Sequence, residues 1–118
     1  MSQPPLTLYG LKNCDTCKKA MAALTGSGRA VAFVDIRAET DLPALVPAWL
    51  KAVGAEKLVN RRSTTWRGLT TAQQAQALGD GAAVLLIEHP TLIKRPVIDT
   101  GADILVGWDK GTEQALQA

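Results

Sequence analysis

Leu6-Thr7-Leu8-Tyr9-Gly10-Leu11-Lys12-Asn13-Cys14-Asp15-Thr16-Cys17-Lys18-Lys19-Ala20-Met21-Ala22-Ala23-Leu24 is the stretch on which the fold turns. Leu6 to Tyr9 is short and apolar with a β-branched member, the composition of a buried strand, and Gly10 closes it. Asn13, Cys14 and Asp15 then read as a turn. From Thr16 onward the residues are good helix formers, and the run stops near Gly26 and Gly28, so a helix begins at or just after Cys14. Val31 to Val34, β-branched and aromatic and ending at Asp35, predicts a second strand. Strand, helix and strand in this order imply parallel strands joined by a right-handed crossover.

Outward from that unit, Asp41 suits the cap of a helix whose apolar positions Leu42, Leu45, Val46, Trp49, Leu50 and Val53 recur at helical spacing before Gly54. Pro43 fits its first turn, whereas Pro47 is less comfortable there and leaves open whether the regular helix starts with the pattern or later. Another helix has Thr70 as its N-cap, Gln73 as capping-box partner, and runs to Leu78 with Gly79 as the stop. Ala82 to Ile87 fits a buried strand or a short helix, since period alone does not separate the two in so brief an apolar run. Val97 to Asp99 and Ile104 to Val106, joined by Thr100, Gly101, Ala102 and Asp103, suit an antiparallel hairpin. Lys110 to Gln117 reads as a closing helix. No internal repeat, low-complexity run or linker interrupts the chain, so residues 1–118 are expected to form a single α/β domain with the middle helical region as an insertion.

The 118 residues supply length for one core. Hydrophobic residues at 47% and charged residues at 20% match a globular chain rather than a disordered or membrane-embedded one. Thirteen Lys plus Arg against eleven Asp plus Glu leave +2, too slight an excess to predict a nucleic-acid partner. No apolar run approaches the roughly 18 residues that span a bilayer, and Met1 to Pro5 lacks the character of a signal peptide. The expectation is a cytoplasmic protein with no membrane partner.

Only two cysteines occur, Cys14 and Cys17, too close together to staple distant parts of a framework. Cys14-Asp15-Thr16-Cys17 is a C-x-x-C at the junction of a strand-ending loop and a helix, the context in which that motif points to thiol chemistry. The first N–H groups of the helix and the positive end of its dipole stabilise a thiolate at Cys14; Lys18 and Lys19 add positive potential and Asp15 opposes it. Only the thiolate attacks disulfides or oxyanions, which makes Cys14 the candidate nucleophile. Cys17 either resolves a mixed disulfide or packs inside as a small apolar group. Zinc would need about four ligands. Beyond the pair there is one histidine, His89, with no Cys or His neighbour, so no metal is expected and His89 reads as a surface or helix-end residue. Two basic clusters, Arg61, Arg62 and Arg67 around Thr64-Thr65-Trp66, and Lys94-Arg95 before Pro96, could each hold an anion through paired guanidinium hydrogen bonds.

The chain also carries three ordered motifs that span nearly its whole length. They are Leu8-Tyr9-Gly10 with Asn13-Cys14-Asp15-Thr16 and Lys18-Lys19-Ala20; Leu58-Val59-Asn60 with Arg62, Thr64-Thr65-Trp66-Arg67 and Leu69; and His89-Pro90 leading to Ile93-Lys94-Arg95-Pro96-Val97 and Val106-Gly107. With these the sequence resembles the ArsC family of thioredoxin-like proteins, its YffB-like subgroup more than the true arsenate reductases. The resemblance implies a thioredoxin-like fold with a four-stranded mixed sheet and a helical insertion, in which Ala82 to Ile87 is helical. It implies that Cys14 is the nucleophile and that Arg95, just before the family's cis-proline at Pro96, faces the sulfur and its bound anion. Asn13, Thr16, Pro96 and, more weakly, Arg62 fall on the substrate side. In the arsenate-reducing members the thiolate attacks arsenate, glutathione joins in a mixed species, and glutaredoxin restores the thiol. For this chain the resemblance implies glutathione as co-substrate, glutaredoxin as a partner, and a small oxyanion or disulfide as substrate; a monomer with no bound cofactor is the expectation.

The pattern departs from the arsenate reductases at Asn60, where they keep an arginine beside positions here held by Arg61 and Arg62. It departs again across Asp99 to Val106, which contain no arginine. Ser63 replaces a glycine common in the subgroup, which bears on the local turn. Cys17 opens an alternative, since C-x-x-C at this place is similar to the Spx-type regulators that bind RNA polymerase and sense oxidation through a disulfide.

Overall fold

Alternating burial along β1 (Leu6–Gly10) sets the sheet: Leu6, Leu8 and Gly10 point to one face and are buried, while Thr7 and Tyr9 point to the other. The computed structural model describes residues 5–38 and 40–117; residues 1–4, part of the stretch read as lacking signal-peptide character, lie outside the described residues. β1 pairs in parallel with β2 (Val31–Asp35) and antiparallel with β3 (Val97–Asp99), which turns back onto β4 (Ile104–Val106). The order β2-β1-β3-β4 is the expected four-stranded mixed sheet.

The chain forms two compact units, residues 1–39 with 95–118, and residues 40–94. The first contains the sheet and α1 (Asp15–Gly26). Cys17, Ala20 and Leu24 recur on the face of α1 that packs on Leu6, Leu8 and Ile98. Leu116 of the closing helix α7 (Lys110–Gln117) joins that core, and the Leu116 carbonyl accepts a 2.7 Å hydrogen bond from the Arg29 guanidinium. A backbone N–H from Gly107 to the Pro96 carbonyl, 2.8 Å long, ties β4 to the start of β3, and the Arg95–Pro96 peptide bond is cis.

The second unit is helical. α2 (Leu42–Val53) is capped by Asp41, whose carboxylate accepts the Ala44 N–H. The boundary that Pro47 left open falls at Leu42, from which the helix is regular, and Pro47 sits inside it, exposed. Pro47 forgoes only its own bond to the Pro43 carbonyl, and burial of Leu42, Val46 and Trp49 on the opposite face offsets that loss. After the short α3 (Ala55–Leu58) and α4 (Thr64–Arg67) comes α5 (Thr71–Ala77), opened by the predicted Thr70–Gln73 capping box. The ambiguous apolar run is helical, forming α6 (Ala82–Glu88), which packs against α2 and α5. Its carbonyls and amides bond within the helix, so it needs no sheet neighbour.

A pairing that the sequence did not suggest closes this unit. Val59 bridges Ile93, the Asn60 N–H donates to the Leu92 carbonyl at 2.8 Å, and the Lys94 N–H donates to the Leu58 carbonyl at 2.7 Å. Ser63 sits at φ −75°, ψ 155° and its hydroxyl accepts the Trp66 N–H, so this turn needs no glycine. None of the helices of the described residues is long and apolar enough to cross a membrane.

Candidate functional site

The loop from β1 to α1 brings Cys14 to the N-cap of the helix, with Asp15, Thr16 and Cys17 as its first three residues. The Cys14 N–H donates to the Leu11 carbonyl at 3.2 Å and its carbonyl accepts the Lys18 N–H at 3.0 Å, so the backbone on both sides of the sulfur is fixed. Cys14 is half-buried and Cys17 buried, both as free thiols. Arg95, also half-buried, comes from the segment entering β3.

These three side chains make an asymmetric pair of thiols. Burial works against the Cys14 thiolate, but the backbone N–H and the thiol of Cys17 and the Arg95 guanidinium together outweigh it and hold the Cys14 pKa below its ordinary value. Burial pushes the Cys17 thiol the other way, up to about 11, and the neighbouring Cys14 adds to the rise; the Leu11 N–H and Arg95 oppose it only in part. Cys17 is therefore the proton-bearing partner and Cys14 the one that ionises.

Gly10 is the residue that sequence reasoning misread. It looked like the turn that ends the strand, yet it pairs with Asp35 inside β1, and its carbonyl accepts the Ile36 N–H at 2.9 Å. A Cβ at this position would lie 2.5 Å from the Cys17 Sγ and 3.3 Å from its Cβ. Glycine is required here by the approach of Cys17 to the strand. The signal was available in the alternation Leu6, Leu8, Gly10, which puts Gly10 on the face that α1 covers.

The remaining expected residues scatter. Pro96 is buried at the start of β3, and Thr16 is exposed in the first turn of α1. Asn13 is exposed and lines a cleft of about 470 Å³ with Leu11, Lys12, Asp35, Arg37 and Ala38. There the Asp35 carboxylate accepts the Arg37 and Ala38 N–H groups, at 2.8 and 3.0 Å, which lowers its pKa. A second cleft of about 290 Å³ is lined by Leu11, Lys12, Cys17, Lys18, Met21 and Phe33. Arg62 belongs to the other unit, where it is exposed, its N–H donates to Asn60 Oδ1 at 3.0 Å, and its carbonyl accepts from Arg67. His89 is half-buried at the end of α6. Among the described residues no three of His, Cys, Asp and Glu gather as a metal site would require.

The sequence profile of the ArsC family matches residues 9–116. An uncharacterized protein of Haemophilus influenzae is 40% identical over 114 residues, covering 96% of this chain and 99% of that protein. Among solved structures, the YffB protein superposes with a TM-score of 0.85 at 35% identity, over 96% of this chain and 99% of its own. An arsenate reductase-related protein of Brucella melitensis does so with a TM-score of 0.79 at 32% identity, over 98% of this chain and 96% of that one.

Proposed function

This chain belongs to the ArsC family and has its thioredoxin-like fold, and from that premise we propose that it is a thiol-dependent oxidoreductase that acts through Cys14 and is linked to glutathione. The observation that carries this reading is the placement of Cys14 at the head of α1, where the amide and thiol of Cys17 and the guanidinium of Arg95 favour its thiolate. In the proposed step the Cys14 thiolate attacks one sulfur of a small disulfide. A Cys14 mixed disulfide forms, and the other half leaves as a thiolate. Arg95 steadies the anionic sulfur before attack and the negative charge shared along the three sulfurs during it. Asn13, Thr16 and Pro96 are assigned to the substrate side of Cys14 as part of this proposal.

A small oxyanion is the other substrate class open to the same thiolate. Asn60 and the arginine-free stretch from Asp99 to Val106 favour the disulfide over arsenate. Glutaredoxin is the proposed recycling partner, and the proposed setting is a cytoplasmic monomer. The experiment is intact-mass analysis of the reduced protein after exposure to oxidised glutathione, with mapping of the modified cysteine. A glutathione adduct on Cys14, and loss of disulfide reduction in Cys14→Ser, are expected. Full activity in Cys14→Ser overturns the mechanism.

The adjacency of Cys14 and Cys17 also supports a redox switch of the Spx type. Tight retention of RNA polymerase by the oxidised protein would favour that reading over the enzyme.

A further inference from the structure

We propose that Gly107 is a positioning residue for the chemistry at Cys14: its N–H, presented by a left-handed backbone turn, holds the Pro96 carbonyl and thereby sets where the Arg95 guanidinium meets the Cys14 sulfur. This deepens the reading of Cys14 as the redox-active sulfur and rests on it. Gly107 acts through Arg95 and not on the substrate.

The ladder between β3 and β4 supplies the first support. Val97 faces Val106, Ile98 faces Leu105 and Asp99 faces Ile104, so one residue beyond the strands Pro96 faces Gly107. There the Gly107 N–H donates to the Pro96 carbonyl at 2.8 Å. Residues opposed at such a rung of an antiparallel pair normally exchange two bonds. Proline has no N–H to return, so the Gly107 bond is the one backbone link that this rung can have. Val97, the next residue, is held from both sides, by β1 and by β4. Along the segment, then, a residue held twice is followed by Pro96, held once, and by Arg95.

The second support is which flank of Arg95 is tied to the body that carries Cys14. The Lys94 N–H donates to the Leu58 carbonyl at 2.7 Å, a bond inside residues 40–94. The Gly107 bond lies instead inside the unit that contains β1, α1 and Cys14. It is the flank that refers Arg95 to the sulfur.

The third support is the backbone of Gly107, which is buried with φ 83°, a region that residues with a side chain seldom enter. Both of its flanks are fixed. Val106 is paired in β4, and Trp108 packs against the buried core of Leu6, Leu8 and Cys17 that Cys14 also borders. Asp109 then caps α7, its carboxylate accepting the Thr112 N–H at 2.8 Å. With both sides held, a residue unable to keep this φ must rotate the peptide between 106 and 107, and its N–H leaves the Pro96 carbonyl. Arg95 acts on Cys14 by hydrogen bond and by field. The hydrogen bond is the part that a displacement of about 1 Å removes.

The test replaces the Val106–Gly107 peptide bond by an ester in the whole chain, assembled by chemical ligation. The ester removes the N–H and keeps every side chain. A control ester at the Asp99–Thr100 bond removes the Thr100 N–H to Asp103 carbonyl bond at the far end of the same hairpin. Each reduced protein is alkylated with iodoacetamide across pH, and adducts are mapped to Cys14. The Gly107 ester is expected to move the Cys14 midpoint to higher pH and to slow alkylation near neutrality about two- to fivefold, less than Arg95→Ala does. The control ester should leave the midpoint at the parent value, and in an Arg95→Ala background the Gly107 ester should add no shift. Gly107→Ala should move the midpoint in the same direction and Gly107→Asn less, because asparagine enters positive φ more readily. That pair decides the matter should the ester chain fail to fold. An unmoved midpoint, an equal shift from the control ester, or the same added shift with Arg95 absent would each overturn the inference. If Arg95→Ala still raises the midpoint and glutathione still forms its adduct on Cys14, such a failure leaves the proposed function standing, whereas loss of both effects removes the two together.

Discussion

Gly10→Ala isolates the contact on which the dithiol geometry depends. The added Cβ would sit 2.5 Å from Cys17 Sγ, against the ~3.5–4.0 Å at which such atoms pack comfortably, so strand and helix must part by about 1 Å or the thiol must leave its place. Cys17 is buried in the core between β1 and α1, where neighbours give little, and the cost of overpacking there is about 1–3 kcal/mol. Displacing Cys17 also moves the N–H and the thiol that favour the Cys14 thiolate, so the Cys14 pKa should rise. Two assays read this: urea unfolding for stability, and the pH dependence of iodoacetamide alkylation for Cys14. Cys17→Ala removes the sulfur that the new methyl group strikes. In that background Gly10→Ala should cost much less and leave the alkylation midpoint where Cys17→Ala alone puts it, giving a coupling of about 1–2 kcal/mol in the double-mutant cycle. Equal destabilisation in both backgrounds would refute the reasoning, as would an unchanged Cys14 midpoint in the single variant.

Arg95→Ala should raise the Cys14 pKa. The alkylation midpoint then moves to higher pH and the rate near neutrality drops, while rates well above pH 9 converge with the parent; an unmoved profile removes Arg95 from the site. Thr70→Ala breaks both halves of a closed capping box and should lower stability by about 0.5–2 kcal/mol in urea titration, with no change in Cys14 alkylation. Pro47→Ala restores a donor on the exposed side of α2 and should raise stability by up to about 3 kcal/mol, seen as a higher urea midpoint. A lower midpoint would mean that the proline is favoured by something other than its helix.

The order of elements was legible because each rests on local chemistry. The alternation of β1, the capping box of α5 and the Gly101 turn between β3 and β4 all act over a few residues. Ala82 to Ile87 was not legible from its period, because an apolar run this short suits either geometry and its packing against α2 and α5 decides. Pro47 left its helix boundary open for a related reason, since propensity weighs one lost hydrogen bond while the buried face of Leu42, Val46 and Trp49 outweighs it. The Val59–Ile93 bridge joins segments far apart in the chain, and no local pattern announces it. At the site, Cys14 and Cys17 declared themselves by spacing and position. Arg95 was legible only as part of one of two basic clusters that could hold an anion, and its pairing with Cys14 came through the resemblance, because an arginine in sequence carries no direction. Gly10 was hidden by its residue type: glycine after a strand usually means a turn, and only the register with Cys17 shows that it makes room.

The helix starts of this chain argue for what α1 is built to do. Asp41, Ser63 and Thr70 each head a helix and each accepts an N–H from its own first turn through a side-chain oxygen. α1 is headed by Cys14, which offers a sulfur and no oxygen cap; α3 and α6, headed by Gly54 and Gly81, have no side-chain cap either. A good oxygen cap is worth about 1 kcal/mol, so α1 forgoes stability that three other helices take. What it keeps is a helix terminus whose N–H groups and positive field face a sulfur. Cys17, by contrast, is buried one turn further in against Gly10, and that burial holds it protonated. A structural pair of small apolar residues would not need this difference, and a capped serine would stabilise the same helix better. The separation of the two thiols, one poised to ionise and one held protonated, is the property that the Cys14 helix start and the glycine beneath it together produce.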